Sequence, residues 1–546
     1  MKKKKKNLFL FSRPTETEPI IIEEKENQVE YDVRQENPYP KPEVKVSDDI
    51  DKNLEYLEKL FLYPKNSDIV FRKMKVGKGE NERQAFILFI DGMVDTQLVD
   101  LAVIEPLIKQ PEIDQKDEIT ADEVLEKLMY HSQVKATDKM ETIVDDVNFG
   151  GCGVFVDGIA TGYSVDIRGW GHRGIDKPEL EQSIYGPQEA FSEMLRNNTA
   201  LVRKTLKTEK LICEAIEVGK VSRTRGVIMY ISDLANPDMI DEVRKRIKGI
   251  EMDYVIAIEE VSMMIEEKPF IITSHIMATE RPDRVARALS EGRVAVTLNG
   301  SPRTLILPTN AFEEMHAASD AYMRIPYANM TRILRMMAMF ISMLLPGLYM
   351  AITLYHQEMI PTYLLYSISA ARENVPFPSI VELFLMDISF ELIREAGIRM
   401  PGPLGSTLSI VGGLILGQAA VSAKIVSPIM IIVIAMTGIG SFATPDYSLG
   451  WSYRILRLGF IILGSICGFY GIAIGLFAYG MMMASQKSFG VPFLAPLVGR
   501  KRRNASSALF VSPIWKKERR PSYLAPEDDI QEPKISRRWN IGRKKM

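Results

Sequence analysis

The sequence predicts an α+β/α protein: an N-terminal α/β region of two subdomains, followed by a helical transmembrane domain with about four spans and one amphipathic or re-entrant helix. Three observations predict it. Long apolar runs are confined to 331–497; charges crowd the first 330 residues and the last 50; and strand-like runs ending in acidic turns alternate with amphipathic helical patterns before the apolar part. The near-neutral net charge of -2 conceals this partition. A buried helix of a soluble protein seldom repeats such apolar runs four times, which argues against a purely soluble chain.

Taken in order, residues 1–46 carry mixed charge and five prolines and have little to bury, so they predict a disordered arm. Its basic start (1–6) precedes an apolar stretch (7–11) too short for a secretory signal. The first α/β subdomain is expected over 47–147. Ser47-Asp48-Asp49 can cap a helix through Leu54, Leu57 and Phe61, then come strands at 69–76 and 85–90, a turn at Asp91-Gly92, and helices at 96–108 and 121–131. The second subdomain is expected over 148–328. Its strands at 153–156 and 161–167 flank Asp157-Gly158, a hairpin signal. A helix at 187–206, strands at 211–218 and 226–231, and a helix opened by Asn236-Pro237-Asp238 follow. Helix 281–290 and strands 294–298 and 304–307 complete the unit. Residues 85–107 and 227–247 share the order strand, acidic turn, amphipathic helix, which fits either a duplicated subdomain or two ordinary strand-to-helix units.

The transmembrane domain is expected over 329–498, with spans at 333–354, 404–423, 425–443 and 458–484, each long enough for a hydrocarbon layer of roughly 30 Å. Residues 360–371 are too short to cross. In 379–398 the residues Asp387, Glu391, Arg394 and Glu395 fall on one helical arc of roughly 100°. Asp387, Glu391 and Glu395 form a like-charged column that needs water, a cation or a partner when surrounded by lipid. The helix either lies at the membrane surface with that face wet, or contributes to acidic rings around a water-filled path. Gly413 and Gly417 form a GxxxG pair, and Gly464, Gly468, Gly471 and Gly475 share one face of the last span; both patterns predict close helix packing. The basic tail over 499–546 and the large N-terminal region both belong in the cytoplasm, so an even number of crossings is required. Arg454 and Arg457 then fall at the outer end of the last span, against the charge rule.

Nothing in the chain predicts catalysis. The glycine-rich 148–158 lacks the spacing and lysine of a phosphate loop, and Asp91 and Asp157 sit in ordinary Asp-Gly turns. Five scattered histidines and three distant cysteines predict neither a metal site nor a disulfide framework, and no cofactor is expected. The basic tail beside a span predicts contact with the anionic lipid bilayer rather than with nucleic acid.

Several stretches together resemble the A-subunit family of GerA-type spore germination receptors, which includes the stage V sporulation protein AF type. They are Glu280-Arg281-Pro282-Asp283-Arg284-Val285, Glu291-Gly292-Arg293-Val294-Ala295, Val375-Pro376-Phe377-Pro378, FELIREAGIR at 390–399, IVGGLILGQAAV at 410–421 and SFGVPFLAPL at 488–497. The loop at 185–191 departs from the family's RGPREGF run at Tyr185, Gln188 and Ala190, and Ala371-Arg372-Glu373-Asn374 departs from SREG. The resemblance covers about 54–497, leaving residues 1–46 and the basic tail outside the shared pattern. It implies a multi-pass protein of the spore inner membrane, with both termini cytoplasmic, that helps nutrients trigger germination. The implied partners are a permease-like B subunit, a C-subunit lipoprotein and further copies of this chain in a homo-oligomer, a pentameric ion channel. Asp387, Glu391 and Glu395 are then the candidates for the ion path, and the six glycines for the helix seam. The alternatives are a non-conducting, signal-transducing scaffold and the AF-type relative that amplifies ion release.

Overall fold

The structure, a computed structural model, describes residues 44–76, 82–108, 124, 134–169, 177–178, 181–399, 403–498 and 508–531. The expected arm up to residue 43, most of the helix at 121–131 and the basic run at 500–503 lie outside the described residues.

Two five-stranded antiparallel sheets form the N-terminal region. The first holds β1 (Ile69–Val76), β2 (Arg83–Ile90), β3 (Val134–Thr137), β4 (Cys152–Val156) and β5 (Gly162–Val165), in the order β1-β2-β4-β5-β3. The second holds β6 (Leu211–Val218), β7 (Thr224–Ile231), β8 (Met277–Thr279), β9 (Val294–Leu298) and β10 (Thr304–Leu307), in the order β6-β7-β9-β10-β8. The orders are equivalent, and so are the helices: Ile50–Leu60 and Leu195–Thr205 precede β1 and β6, while Met140–Asn148 and Pro282–Ser290 precede β4 and β9. The α/β region is therefore a structural duplication. The central strands β2 and β7 read as unbroken apolar runs because helices cover both faces of each sheet. Phe86, Leu88 and Ile90 face Met140, Ile143 and Phe155, whereas Ala85, Ile87 and Phe89 face Val99 and Val103.

The expected boundary at 147/148 falls inside the first sheet. Strand β4 inserts between β2 and β5, and Asp95 N donates to Ile167 O across 3.0 Å, so the first repeat runs to Arg168. Strand pairing of this kind is non-local, and a hairpin signal alone does not say which sheet the hairpin joins.

The helix expected from Pro187 begins only at Leu195. Ser192, just upstream, spends its backbone N–H and C=O on the Asn198 amide at 2.8 and 2.6 Å, a local alternative to helix. Ser47 and Asn53 repeat this exchange at 2.8 and 2.6 Å in the first repeat. Replacing either asparagine by alanine orphans two backbone groups, at an expected cost of about 1–3 kcal/mol at each site. Thermal unfolding of the two variants checks it, and a loss at one site alone would break the equivalence.

The repeats are joined at Arg203. Its buried guanidinium donates to Asp68 at 2.5 and 2.7 Å, to Asn66 Oδ1 at 3.0 Å and to Leu211 O at 3.2 Å.

The helical part comprises Ile325–Tyr355, Thr362–Arg372, Ser379–Arg399, Pro403–Ser422, Pro428–Phe442 and Tyr447–Ala484. Among the described residues two segments, Ile325–Tyr355 and Ser448–Ala484, are long and apolar enough to cross a membrane. The last is not one straight helix. At Gly468 the backbone turns to φ 59, ψ -141, outside helical space. Ser452 Oγ donates to Ile272 O at 2.6 Å, and Met483 packs 3.8 Å from Thr273 Oγ1. Residues 452 and 483 of a straight helix would stand about 46 Å apart, yet both reach the same short stretch of the second repeat. The segment is a helical hairpin with its tip at Gly468, so the single span expected over 458–484 is corrected to two antiparallel legs.

The tip meets the far end of the first long helix, where the Tyr355 hydroxyl donates to Ser465 O at 2.9 Å and Ile466 O at 2.8 Å. Helix Pro428–Phe442 runs back along Ile325–Tyr355, with Gly440 against Ala338 and Met430 in one cluster with Met350. Beyond the hairpin, part of the basic tail docks on the second repeat. Leu524 is buried in its core, and the Tyr523 hydroxyl accepts from Arg293 Nη2 at 3.1 Å and donates to Glu313 Oε1 at 3.0 Å.

Candidate functional site

Helix Ser379–Arg399 places its charged face against the first leg of the hairpin. Arg457, 1% exposed, lies 3.0 Å from Asp387 Oδ1 and donates to Glu391 Oε1 at 2.8 Å. Arg454 approaches Glu391 Oε2 at 3.7 Å, and Arg394 Nη1 donates to Glu391 Oε1 at 3.2 Å. Arg394 also donates to Ser441 Oγ at 2.6 Å, with its guanidinium 4.9 Å from the rings of both Phe390 and Phe442. The expected like-charged column is therefore neutralised within the chain: two carboxylates meet three guanidiniums. Glu395 stands apart, half-exposed near the helix end and paired with Arg399 at 2.8 Å. The partner that Asp387 and Glu391 require is supplied by Arg454 and Arg457.

Those arginines were missed as site residues because a single final span put them on the wrong side. Their spacing of three residues in an apolar helix, facing carboxylates spaced by four, was the available signal. The hairpin turns them back to the side from which the first long helix starts. At the opposite end of the charged helix, Glu382 accepts from Ser427 N at 3.0 Å and lies 3.6 Å from Arg372. Arg372 stands in the Ala371–Asn374 stretch. Polar capacity is left over in the interior: Arg457 Nε and Nη1 and Arg394 Nε have no hydrogen-bond acceptor among the described residues.

The six glycines do not form two equal seams. A Cβ on Gly464 would meet the Gly347 carbonyl oxygen of the first long helix, and one on Gly347 would lie 2.5 Å from Phe460 O. These backbones touch directly. Gly471 faces the Leu463 carbonyl and Gly475 the Phe460 ring across the hairpin, while Gly468 is its turn. The expectation of one continuous glycine face is corrected: the glycines pack the two legs on each other and on the first helix of the same chain. Gly417 makes ordinary contact with Ile431 at 3.6 Å, and Gly413 faces open space.

Besides the contacts of Ser452 and Met483, the helical part is bolted to the second repeat through His275 and Asp320. His275 Nε2 lies 2.7 Å from Gln486 Oε1, beyond the hairpin, while its Nδ1 faces Glu266 at 2.9 Å. Arg332 and Arg335, at the base of the first long helix, converge on Asp320, which is 1% exposed. Nearby, burial first and then the Arg332 charge hold the His316 imidazole down at about 3, so it stays neutral where it meets Ala508 O at 2.9 Å. The arginines of the 280–295 stretches serve the fold. Buried Arg281 donates to Pro187 O at 2.8 Å and clasps Asp283 at 3.1 Å, and Arg293 donates to Pro308 O at 2.6 Å. The 185–191 loop is thus held through its backbone, which its departures at Tyr185, Gln188 and Ala190 leave intact.

Comparison with known proteins places these features in a family. The family model described as "Bacillus/Clostridium GerA spore germination protein" matches residues 55–523, and so reaches into the docked tail, as far as Tyr523, that the resemblance left outside. The chain is 36% identical over 472 residues to "Spore germination protein KA" of Bacillus subtilis (strain 168), covering 86% of each chain. It is 34% identical over 491 residues to "Spore germination protein B1" of the same organism, covering 90% of this chain and all of that protein. Among solved structures, the crystal structure of the N-terminal domain of the A subunit of the Bacillus megaterium spore germinant receptor GerK3 is similar at 28% identity. That match has a TM-score of 0.37 and covers 49% of this chain and 97% of that one.

Proposed function

Because the chain belongs to the Bacillus/Clostridium GerA family of spore germination proteins, we propose that it is the A subunit of a spore germination nutrient receptor whose helical part conducts ions when copies associate. In this reading the nutrient is sensed by a permease-like B subunit, with a lipoprotein C subunit as the third member, in the spore inner membrane. The bundle crosses six times: once with Ile325–Tyr355, three times with the helices from Ser379 to Phe442, and twice with the hairpin. Six crossings, like the four expected from sequence, keep both ends on the cytoplasmic side. They also bring Arg454 and Arg457 to that side, in accord with the charge rule.

The observation that carries conduction is the set of unspent donors on Arg457 and Arg394 beside two carboxylates, buried among apolar helices. Polar groups without protein partners inside a membrane domain belong beside water, and a chain of charged groups beside water is what an ion path needs. Glu395, the most exposed of the three acids, lies apart from the Asp387–Arg457 pair and is available to a neighbouring copy, whereas Glu391 is shared among Arg394, Arg454 and Arg457. The second reading, a non-conducting scaffold, draws on the same site: each carboxylate of the column already has a cation in its own chain.

Conductance of the purified oligomer in planar bilayers separates the two, measured beside a Glu391→Gln, Glu395→Gln variant that leaves the Asp387–Arg457 pair in place. The expected result is a cation current that loses selectivity in an equally oligomeric variant. Absence of current from either protein, with B and C subunits and nutrient present, would leave the scaffold.

A further inference from the structure

Phe270 is fully exposed, at 101%, more than any other large apolar side chain among the described residues. It stands at the tip of a tight turn in which Ile271 N donates to Lys268 O at 3.2 Å and Pro269 fixes the first corner. Met263 and Met264, a few residues upstream on helix Ile258–Ile265, are exposed too. A projecting aromatic in a segment that also exposes two methionines is apolar surface that water does not favour.

Its position says what covers it. The residues just after the turn are tied to both legs of the hairpin: Ile272 O accepts from Ser452 Oγ at 2.6 Å, and Thr273 Oγ1 donates to Gln486 Oε1 at 3.2 Å. Next to Ser452, the half-exposed Trp451 ring lies 4.4 Å from the Arg454 guanidinium. An indole and a cation at a helix end mark the membrane–water boundary. The turn therefore stands at the level where the first leg enters the apolar layer. The neighbouring acids already have partners: Glu266 is held against buried His275 at 2.9 Å, and Glu267, at the surface, pairs with Arg246 at 3.2 Å. Exposed Lys268 is left at the tip, suited to anionic head groups.

We propose that the 268–271 turn, with Met263 and Met264, inserts into the lipid interface and fixes the height of the α/β region above the bilayer. The inference rests on the membrane reading of the helical part. Tryptophan placed at Phe270 tests it, in a background with Trp170, Trp451, Trp515 and Trp539 all changed to Phe, in vesicles of phosphatidylcholine and phosphatidylglycerol whose chains are brominated near the head group or near the chain end. A parallel variant, Phe477→Trp, reports on the middle of the second hairpin leg.

The expected result is loss of emission from both probes, with Phe270→Trp quenched most by bromine near the head group. Quenching of Phe477→Trp with undiminished emission from Phe270→Trp would overturn this inference alone and give the patch to a protein partner. Undiminished emission from both would overturn the membrane reading, and the anchor with it.

Discussion

Asp387→Leu is expected to destabilise the full chain by about 3–5 kcal/mol, because it leaves the buried Arg457 guanidinium without its one fully buried carboxylate partner in a medium that cannot replace it. Arg457→Met should cost a similar amount, by stranding Asp387. The double variant Asp387→Leu, Arg457→Met removes both charges and should recover most of the loss, since a desolvated pair contributes little net stability over apolar residues of similar size. Unfolding midpoints of the four proteins in one detergent give the coupling directly. The magnitude also bears on function. In a dry bundle the single variants pay the full penalty, whereas beside a water-filled path solvent replaces the missing partner and the loss shrinks toward 1 kcal/mol or less, roughly that of a surface pair.

Gly464→Leu is expected to break the association of the hairpin with the first long helix. Even a methyl at this position would run into the Gly347 carbonyl oxygen, a backbone atom that cannot move aside as a side chain can. Overpacking ordinarily costs about 1–3 kcal/mol, and a branched side chain between touching backbones belongs at or above the upper end of that range. Gly347→Leu should behave alike. Gly413→Leu, with nothing near its Cβ, should stay within about 0.5 kcal/mol. Folded yield and unfolding midpoint in detergent check all three. A Gly464 variant as stable as the Gly413 variant would sink the intrachain seam.

Much of the α/β region was legible. Strand Ile69–Val76 and the helix after Asn236 came out where apolar patterning and capping place them; the Asn236 side chain caps Asp238 N at 2.9 Å with Pro237 in the first turn. The 85–107 and 227–247 similarity was the visible part of a complete duplication. Its other half, the pairing of β4 with β2 and of β9 with β7, depends on register between distant residues and leaves no local trace. In the helical part the apolar runs located every helix but not the reversal. Glycines at steps of four, three and four look the same whether they line one straight helix or two legs and a turn, and the left-handed φ of Gly468 is invisible in its letter. Once the segment was taken as straight, Arg454 and Arg457 were assigned the wrong end and lost their carboxylates. One misread glycine thus concealed the partner of the acidic column.

The hairpin's two feet stand on neighbouring residues, Ile272 and Thr273. Mechanically this makes it a two-legged lever with a single fulcrum. A shift of the second repeat at that point cannot slide one leg past the other; it carries both, and the tip with them. Arg457 rides on the first leg about 7.5 Å above the foot, close enough that rigid helical backbone delivers the displacement to the charge cluster almost undiminished. A tug on the α/β region is thereby converted into movement of one guanidinium past two carboxylates.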